Sequence, residues 1–189
     1  MQYQAIVLGV SAGGFHALST VLPCLDPALP LPVFVVQHMR PDSDTFLADH
    51  LQSICSIEVK FAEDKEPVRP GVAYLAPPDY HLLIEADNSL ALSLEDRVNY
   101  SRPSIDVLFE SAAEIYLNGL IGVVMTGASS DGSKGLLKIQ QSGGLTVVQA
   151  PETADVNIMP VSAIETTEVE YIVPLNRLGI FLNMMAMGR

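Results

Sequence analysis

The chain contains no tryptophan, only two cysteines, and ten Lys plus Arg against 22 Asp plus Glu among its 189 residues. Each shortage excludes something. Cys24 and Cys55 lack C-x-x-C spacing, so neither a structural zinc site nor a disulfide scaffold is expected, and two buried thiols of an intracellular protein are the simplest reading. The formal net charge of −12 repels phosphate backbones and anionic headgroups, which removes nucleic acid from the expected partners. No apolar run approaches the roughly 18 residues of a membrane span, and no basic stretch precedes the first apolar segment. No membrane insertion is therefore expected, and the expected compartment is the cytoplasm. Two phosphate-binding motifs are missing as well. No G-x-x-x-x-G-K is present, and residues 9–14 read G-V-S-A-G-G where a dinucleotide fingerprint would need G-x-G-x-x-G.

What the chain does have is 49% hydrophobic residues arranged in two alternating periods, enough to form one domain over residues 1–189. "AIVLGV" (5–10), "LPVFVVQ" (31–37), "LIGVVMTG" (120–127) and "LTVVQA" (145–150) are short, nearly unbroken apolar runs, as in strands covered on both faces of a parallel sheet. Between them "GFHALSTVLPCL" (14–25), "SDTFLADHLQSI" (43–54), "PSIDVLFESAAEIYL" (103–117) and "DGSKGLLKIQQSG" (131–143) carry apolar residues at helical spacing. Pro103 suits a first helical turn and Gly143 a stop. The segment 71–96 reads as two or three short strands separated by "APPD" and "ADNS". Together these predict a doubly wound α/β fold. Its sheet is mostly parallel with helices on both faces, and a short antiparallel hairpin extends one edge.

In such sheets the functional crevice lies beyond the carboxyl ends of the strands. Three residues stand there: Ser11 after the first strand, His38 after the second in "VFVVQHM", and Asp131 after "LIGVVMTGASS". Gly9-Val10-Ser11-Ala12-Gly13 fits G-x-S-x-G, in which small neighbours allow a sharp strand-to-helix turn that exposes a serine hydroxyl. Singly, each residue has a commoner role. A serine in a glycine-rich turn or an Asp before Gly usually caps a helix, and a histidine at a strand end is usually a hydrogen-bonded core residue. Jointly they form a complete set: His38 to accept the hydroxyl proton, Asp131 to fix the imidazole, and amides at the helix start to meet an oxyanion. The order Ser, His, Asp disfavours an ordinary α/β-hydrolase, whose acid precedes its histidine. His16, His50 and His81 do not follow buried parallel strands and are not included.

"IVLGVSAGG", "VFVVQHM", "PGVAYLAPPDYHL", "RPSIDVLFESAA", "VVMTGASSDGSKGL", "GGLTVVQAPETA" and "MPVSAI" occur in that order. Together they resemble the catalytic domain of the bacterial chemotaxis protein-glutamate methylesterase, the CheB type. The resemblance implies a Ser-His-Asp hydrolase that removes methyl esters from glutamates on the cytoplasmic helices of chemoreceptors, often with glutamine deamidation. By position its nucleophile falls on Ser11, its base on His38 and its acid on Asp131. It calls for no metal or organic cofactor. Ala12, Gly13 and Ala128 are candidate oxyanion or substrate contacts, and Arg102 in "SRPSID" a candidate contact on the same rim. The family's acid loop commonly reads T-G-M-G-x-D-G, and here Ala128 and Ser129 replace the methionine and second glycine. Ile158 stands where a glycine is common. A receiver domain, usual ahead of the catalytic one, is not expected within this length. Two other functions fit the same scaffold, a small-molecule serine esterase and a catalytically silent binding module. An enclosed acyl pocket would favour the first, and a broken Ser-His hydrogen bond the second.

Overall fold

Alternation along each strand sorts the apolar side chains to two faces, and both faces are covered. In the computed structural model, which describes residues 3–188, strand β1 (Ala5–Val10) is buried throughout. Ile6, Leu8 and Val10 point to one core and Ala5 and Val7 to the other. This is why the run reads as continuously apolar and not as alternating. The first core is closed by α1 (Gly14–Val21), α2 (Phe46–Ile54) and α6 (Leu175–Ala186), through side chains such as Leu18, Leu51 and Leu182. The second is closed by α3 (Ile105–Tyr116), α4 (Ser133–Gln141) and α5 (Ile158–Thr166), through Phe109, Leu136 and Met159.

The seven-stranded sheet is wholly parallel, in the order β3 (Glu58–Phe61), β4 (Val72–Leu75), β2 (Val33–Gln37), β1, β7 (Leu120–Val124), β8 (Leu145–Gln149), β9 (Tyr171–Val173). The fold is thus α/β, as expected. The segment 71–96 does supply three strands, but β4 joins the parallel sheet between β3 and β2. The other two, β5 (His81–Ile84) and β6 (Leu90–Ser93), pair antiparallel as a sheet of their own. The hairpin therefore does not continue the edge by hydrogen bonding; Leu82, Ile84 and Leu90 bury it in the α3 core instead. Pro103 lies ahead of α3, whose N-cap is Ser104, whereas Gly143 does end α4 with φ +81°. β3, β9, α5 and α6 were not read in the sequence: the strands have four and three residues, too few to establish a period.

The expectation of two buried thiols is corrected. Cys24 is exposed and Cys55 half-buried. The 3₁₀ turn that follows α1 (Leu22–Cys24) directs Leu22 into the core and leaves Cys24 outward. Among the described residues no helix is long and apolar enough to cross a membrane.

Candidate active site

β1 is the central strand of the sheet, flanked by β2 and β7, so the loops leaving these three strands meet at one end. Beyond the strands the pairing continues for one more step on each side. His38 N–H donates to the Val10 carbonyl at 3.1 Å and Ser11 N–H to the Thr126 carbonyl at 2.9 Å. Gln37 then ties two loops together, its Nε2 donating to the carbonyls of Ser11 at 3.0 Å and His38 at 2.9 Å. The turn after Ser11 closes through Gly14 N–H to the Ser11 carbonyl at 2.8 Å, with Gly13 at φ +81° as the N-cap of α1. A side chain at Gly13 would be strained there, which accounts for the glycine at that position.

This framework brings Ser11, His38 and Asp131 into one hydrogen-bonded chain. Ser11 Oγ lies 3.1 Å from His38 Nδ1, and His38 Nε2 lies 2.7 Å from Asp131 Oδ2. Asp131 as acceptor places the proton on Nε2 and leaves the Nδ1 lone pair to the serine hydroxyl. The ring nitrogens are thus used in the opposite sense from serine proteases, where Nε2 faces the serine.

Asp131 is fully buried and surrounded by donors. Its Oδ2 also accepts from Ile105 N–H at 2.6 Å. Its Oδ1 accepts from the Ser104 hydroxyl at 2.9 Å, Asn99 Nδ2 at 2.7 Å and Asp106 N–H at 3.2 Å. Ile105 and Asp106 open α3, so the carboxylate also sits at the positive end of that helix. Burial pushes its pKa up, but the bonds from His38, Ile105 and Asn99 outweigh burial and hold it below the ordinary carboxylate value. Asp131 is therefore charged at neutral pH, the state in which both of its oxygens accept hydrogen bonds.

A second serine and histidine lie nearby and cannot act in the same way. Ser104 presents its backbone N–H, not its hydroxyl, to His81 Nδ1 at 3.1 Å, and His81 Nε2 donates to the Asp96 carbonyl at 3.1 Å. With its hydroxyl given to Asp131 and no exposure to solvent, Ser104 supports the acid and is not a nucleophile.

The remaining sequence-predicted residues divide. Ala12 and Gly13 flank the serine at the start of α1, and their N–H groups donate to nothing among the described residues. Ala128 is exposed on the neighbouring loop. Ser129, in place of the usual glycine, accepts a bond from Asp131 N–H at 3.3 Å and so steadies the altered loop. Arg102 lines a small depression beside His38. Its guanidinium is committed to Asp79 Oδ1 at 2.9 Å and to the carbonyls of Leu94 and Glu95, where it clamps the end of the hairpin. Ile158 opens α5 at the surface. Gln37, Asn99, Ser104 and Asp106 were missed. All four act through polar side chains or amides that leave no periodic trace in a sequence. Among the described residues no three His, Cys, Asp or Glu side chains group as metal ligands.

Beside Ser11 lies an open depression of about 290 Å³, walled by Phe15, Met39 and Leu47. Gly127 is buried behind Ser11: a Cβ there would lie 2.9 Å from the Ser11 Cβ and against Met159 Sδ. Gly127→Ala is expected to displace the serine turn, lowering turnover about tenfold. The overpacking should cost about 1–3 kcal/mol of stability. Turnover measured alongside a thermal melt checks both.

The family model described as CheB methylesterase matches residues 6–182. The chain belongs to the CheB methylesterase family. It is 52% identical over 179 residues to a Leptospira interrogans protein provisionally named protein-glutamate methylesterase/protein-glutamine glutaminase, covering 95% of this chain and 93% of that one. With the Thermotoga maritima protein-glutamate methylesterase/protein-glutamine glutaminase it shares 40% identity over 172 residues, which is 89% of this chain and 50% of that protein. The crystal structure of the Thermotoga maritima CheB methylesterase catalytic domain matches at a TM-score of 0.94 with 37% identity, covering 98% of this chain and all of that one. The chain thus spans about half the length of the Thermotoga relative. Within the CheB methylesterase family, the hydrogen-bonded chain of Ser11, His38 and Asp131 survives the changes at Ala128 and Ser129.

Proposed function

We propose that this protein hydrolyses the methyl esters of glutamate side chains on the cytoplasmic helices of chemoreceptors, and the amides of glutamines at such positions. Ser11 is the nucleophile, His38 the base and Asp131 the group that orients it. The hydrogen-bonded chain of 3.1 Å and 2.7 Å, set at the mouth of an open depression, is the observation that carries this reading. The shallow shape suits an ester presented on a helix better than a free small ester, which an enclosed pocket would hold.

The Ser11 hydroxyl gives its proton to His38 Nδ1 while Oγ bonds to the ester carbonyl carbon. Negative charge gathers on the carbonyl oxygen, where the N–H groups of Ala12 and Gly13 at the positive end of α1, together with that of Ala128, supply donors. As the carbonyl reforms, the carbon–methoxy bond breaks and the proton on Nδ1 leaves with methanol. Water then attacks the glutamyl ester of Ser11 and gives a proton to Nδ1. The Ser11 oxygen takes that proton back, and the glutamic acid released ionises. With glutamine, ammonia leaves in place of methanol. Throughout, Asp131 keeps hold of Nε2–H and offsets the imidazolium charge. The reaction belongs in the cytoplasm, where those receptor helices lie.

A serine whose proton has a positioned acceptor reacts ahead of other hydroxyls, so a fluorophosphonate is expected to label Ser11 selectively. The same preparation should release methanol from methylated receptor fragments. Labelling of Ser11 without methanol release would mean a different ester substrate. A folded protein left unlabelled at Ser11 would overturn the hydrolase assignment.

A further inference from the structure

Asp131 has a second buried carboxylate beside it. Asp106, 3% exposed, accepts from Gly132 N–H at 2.9 Å and Gly135 N–H at 2.7 Å, both through Oδ1. The two acids thus cap one another's helices. Asp131, just ahead of α4, takes the first amides of α3, and Asp106, on α3, takes amides at the start of α4. Cross-capping fixes the acid against the sheet, but it also sets two anions side by side away from water. Burial raises the Asp106 pKa and the Asp131 charge raises it further. Left to themselves, neighbouring carboxylates of this kind share a proton.

One group stands between them. Asn99 Nδ2 donates one hydrogen to Asp106 Oδ2 at 2.8 Å and the other to Asp131 Oδ1 at 2.7 Å. Only this orientation of the amide is tenable, because the reverse would aim a carbonyl oxygen at two anions. Asn99 reaches in from a tight turn, at φ +50°, pinned by paired backbone bonds between Val98 and Ser101 at 3.1 and 2.9 Å.

We propose that Asn99 is a positioning residue for the hydrolysis, holding Asp131 as a fixed acceptor of the His38 proton by bridging it to Asp106. This rests on the triad roles proposed above. Without the bridge, Asp131 is less fixed and free to share a proton with Asp106, which loosens its hold on His38, so the loss falls on the chemical step and not on substrate binding.

Two variants test this. Asn99→Gly keeps the left-handed backbone and removes the side chain. Asn99→Asp keeps the shape and exchanges the donors for a third carboxylate. Asn99→Gly is expected to lower kcat about tenfold or more with little change in KM. Asn99→Asp should be more damaging at alkaline pH. Its rate relative to the parent protein should rise as pH falls, because the introduced carboxyl group, once protonated, donates one of the two lost bonds. The groups facing that position are Asp106 from α3, Asp131 from the loop before α4 and His38 beyond β2, with Arg97 and Arg102 on the same segment lining the depression with His38. Should Asn99→Gly fail to fold, the pH dependence of the Asn99→Asp ratio decides alone. An Asn99→Gly protein with parental kcat, or an Asn99→Asp ratio flat with pH, would reduce Asn99 to a turn residue. Either result would leave the nucleophile assignment intact if Ser11 in the parent protein is still labelled. An unlabelled parent Ser11 would instead overturn the triad roles, and this inference with them.

Discussion

Ser11→Ala and His38→Ala are each expected to lower methyl ester hydrolysis by a factor on the order of a thousand or more, with the double variant little worse than either alone. The reason is that the two groups perform one event. The hydroxyl is a poor nucleophile until its proton has somewhere to go, and in the proposed mechanism Nδ1, 3.1 Å away, is the acceptor. Removing the serine leaves a base with nothing to activate. Removing the histidine leaves a hydroxyl at its ordinary, very high pKa. The rate that survives either change comes from the N–H groups around the serine and from substrate binding, which both variants keep. KM should therefore move far less than kcat. The measurement is steady-state methanol release by the two single variants and the double variant. Multiplicative losses in the double variant would show that the two residues act independently.

Asp131→Asn is expected to lower the rate by about three to four orders of magnitude and to destabilise the fold as well. Asp131 takes five donors on its two oxygens, three on Oδ1 and two on Oδ2. An asparagine offers one oxygen and one NH₂ group. With its oxygen at the Oδ2 position, the NH₂ faces the Ser104 hydroxyl, the Asn99 amide and the Asp106 N–H. With the amide reversed, it faces the Ile105 N–H and stabilises the wrong imidazole tautomer, placing the Nε2 lone pair toward itself and the proton toward Ser11. Either orientation leaves at least one buried donor unsatisfied, at about 1–3 kcal/mol each. In a chain of this size each kcal/mol lowers the melting temperature by roughly 2–4 °C, so the variant should melt several degrees lower. The same carboxylate makes the parent protein acid-sensitive. Its pKa is lowered in the folded state, so the stability it contributes is present above the ordinary aspartate pKa of about 3.9 and is lost as pH falls through the lower, folded value. Asp131→Asn should flatten stability between about pH 5 and strongly acid conditions relative to the parent, measured by denaturant melts across that range.

How legible the molecule was depended on whether a residue's role is local. The apolar runs of β1, β2, β7 and β8 were visible because strands buried on both faces need unbroken apolar sequence, and the cores on either side of the sheet require it. The turn around Ser11 was visible because a strand that must reverse sharply into α1 requires small residues, with Gly13 in a left-handed conformation. The strand ends carrying His38 and Asp131 followed from the rule that crevices form at the carboxyl ends of parallel strands. These are constraints that one stretch of chain must satisfy by itself, and the sequence determined them: an α/β sheet fold and three residues on one rim.

The tertiary structure alone decided the rest. That β4 enters the main sheet while β5 and β6 stand apart depends on which partners are free once β2 and β3 are placed, and the short runs between 71 and 96 do not encode that choice. The geometry of the site is of the same kind. Which ring nitrogen faces Ser11 is set by where Asp131 lies, and Asp131 is held by Ser104, Ile105 and Asp106 from α3 and by Asn99 from a turn before it. None of these is near Asp131 in sequence, and the polar side chains among them are of types that ordinarily face water. What makes them part of the site is a buried carboxylate that must be supplied with donors, and that demand exists only once the helices have packed and excluded the solvent that would otherwise meet it.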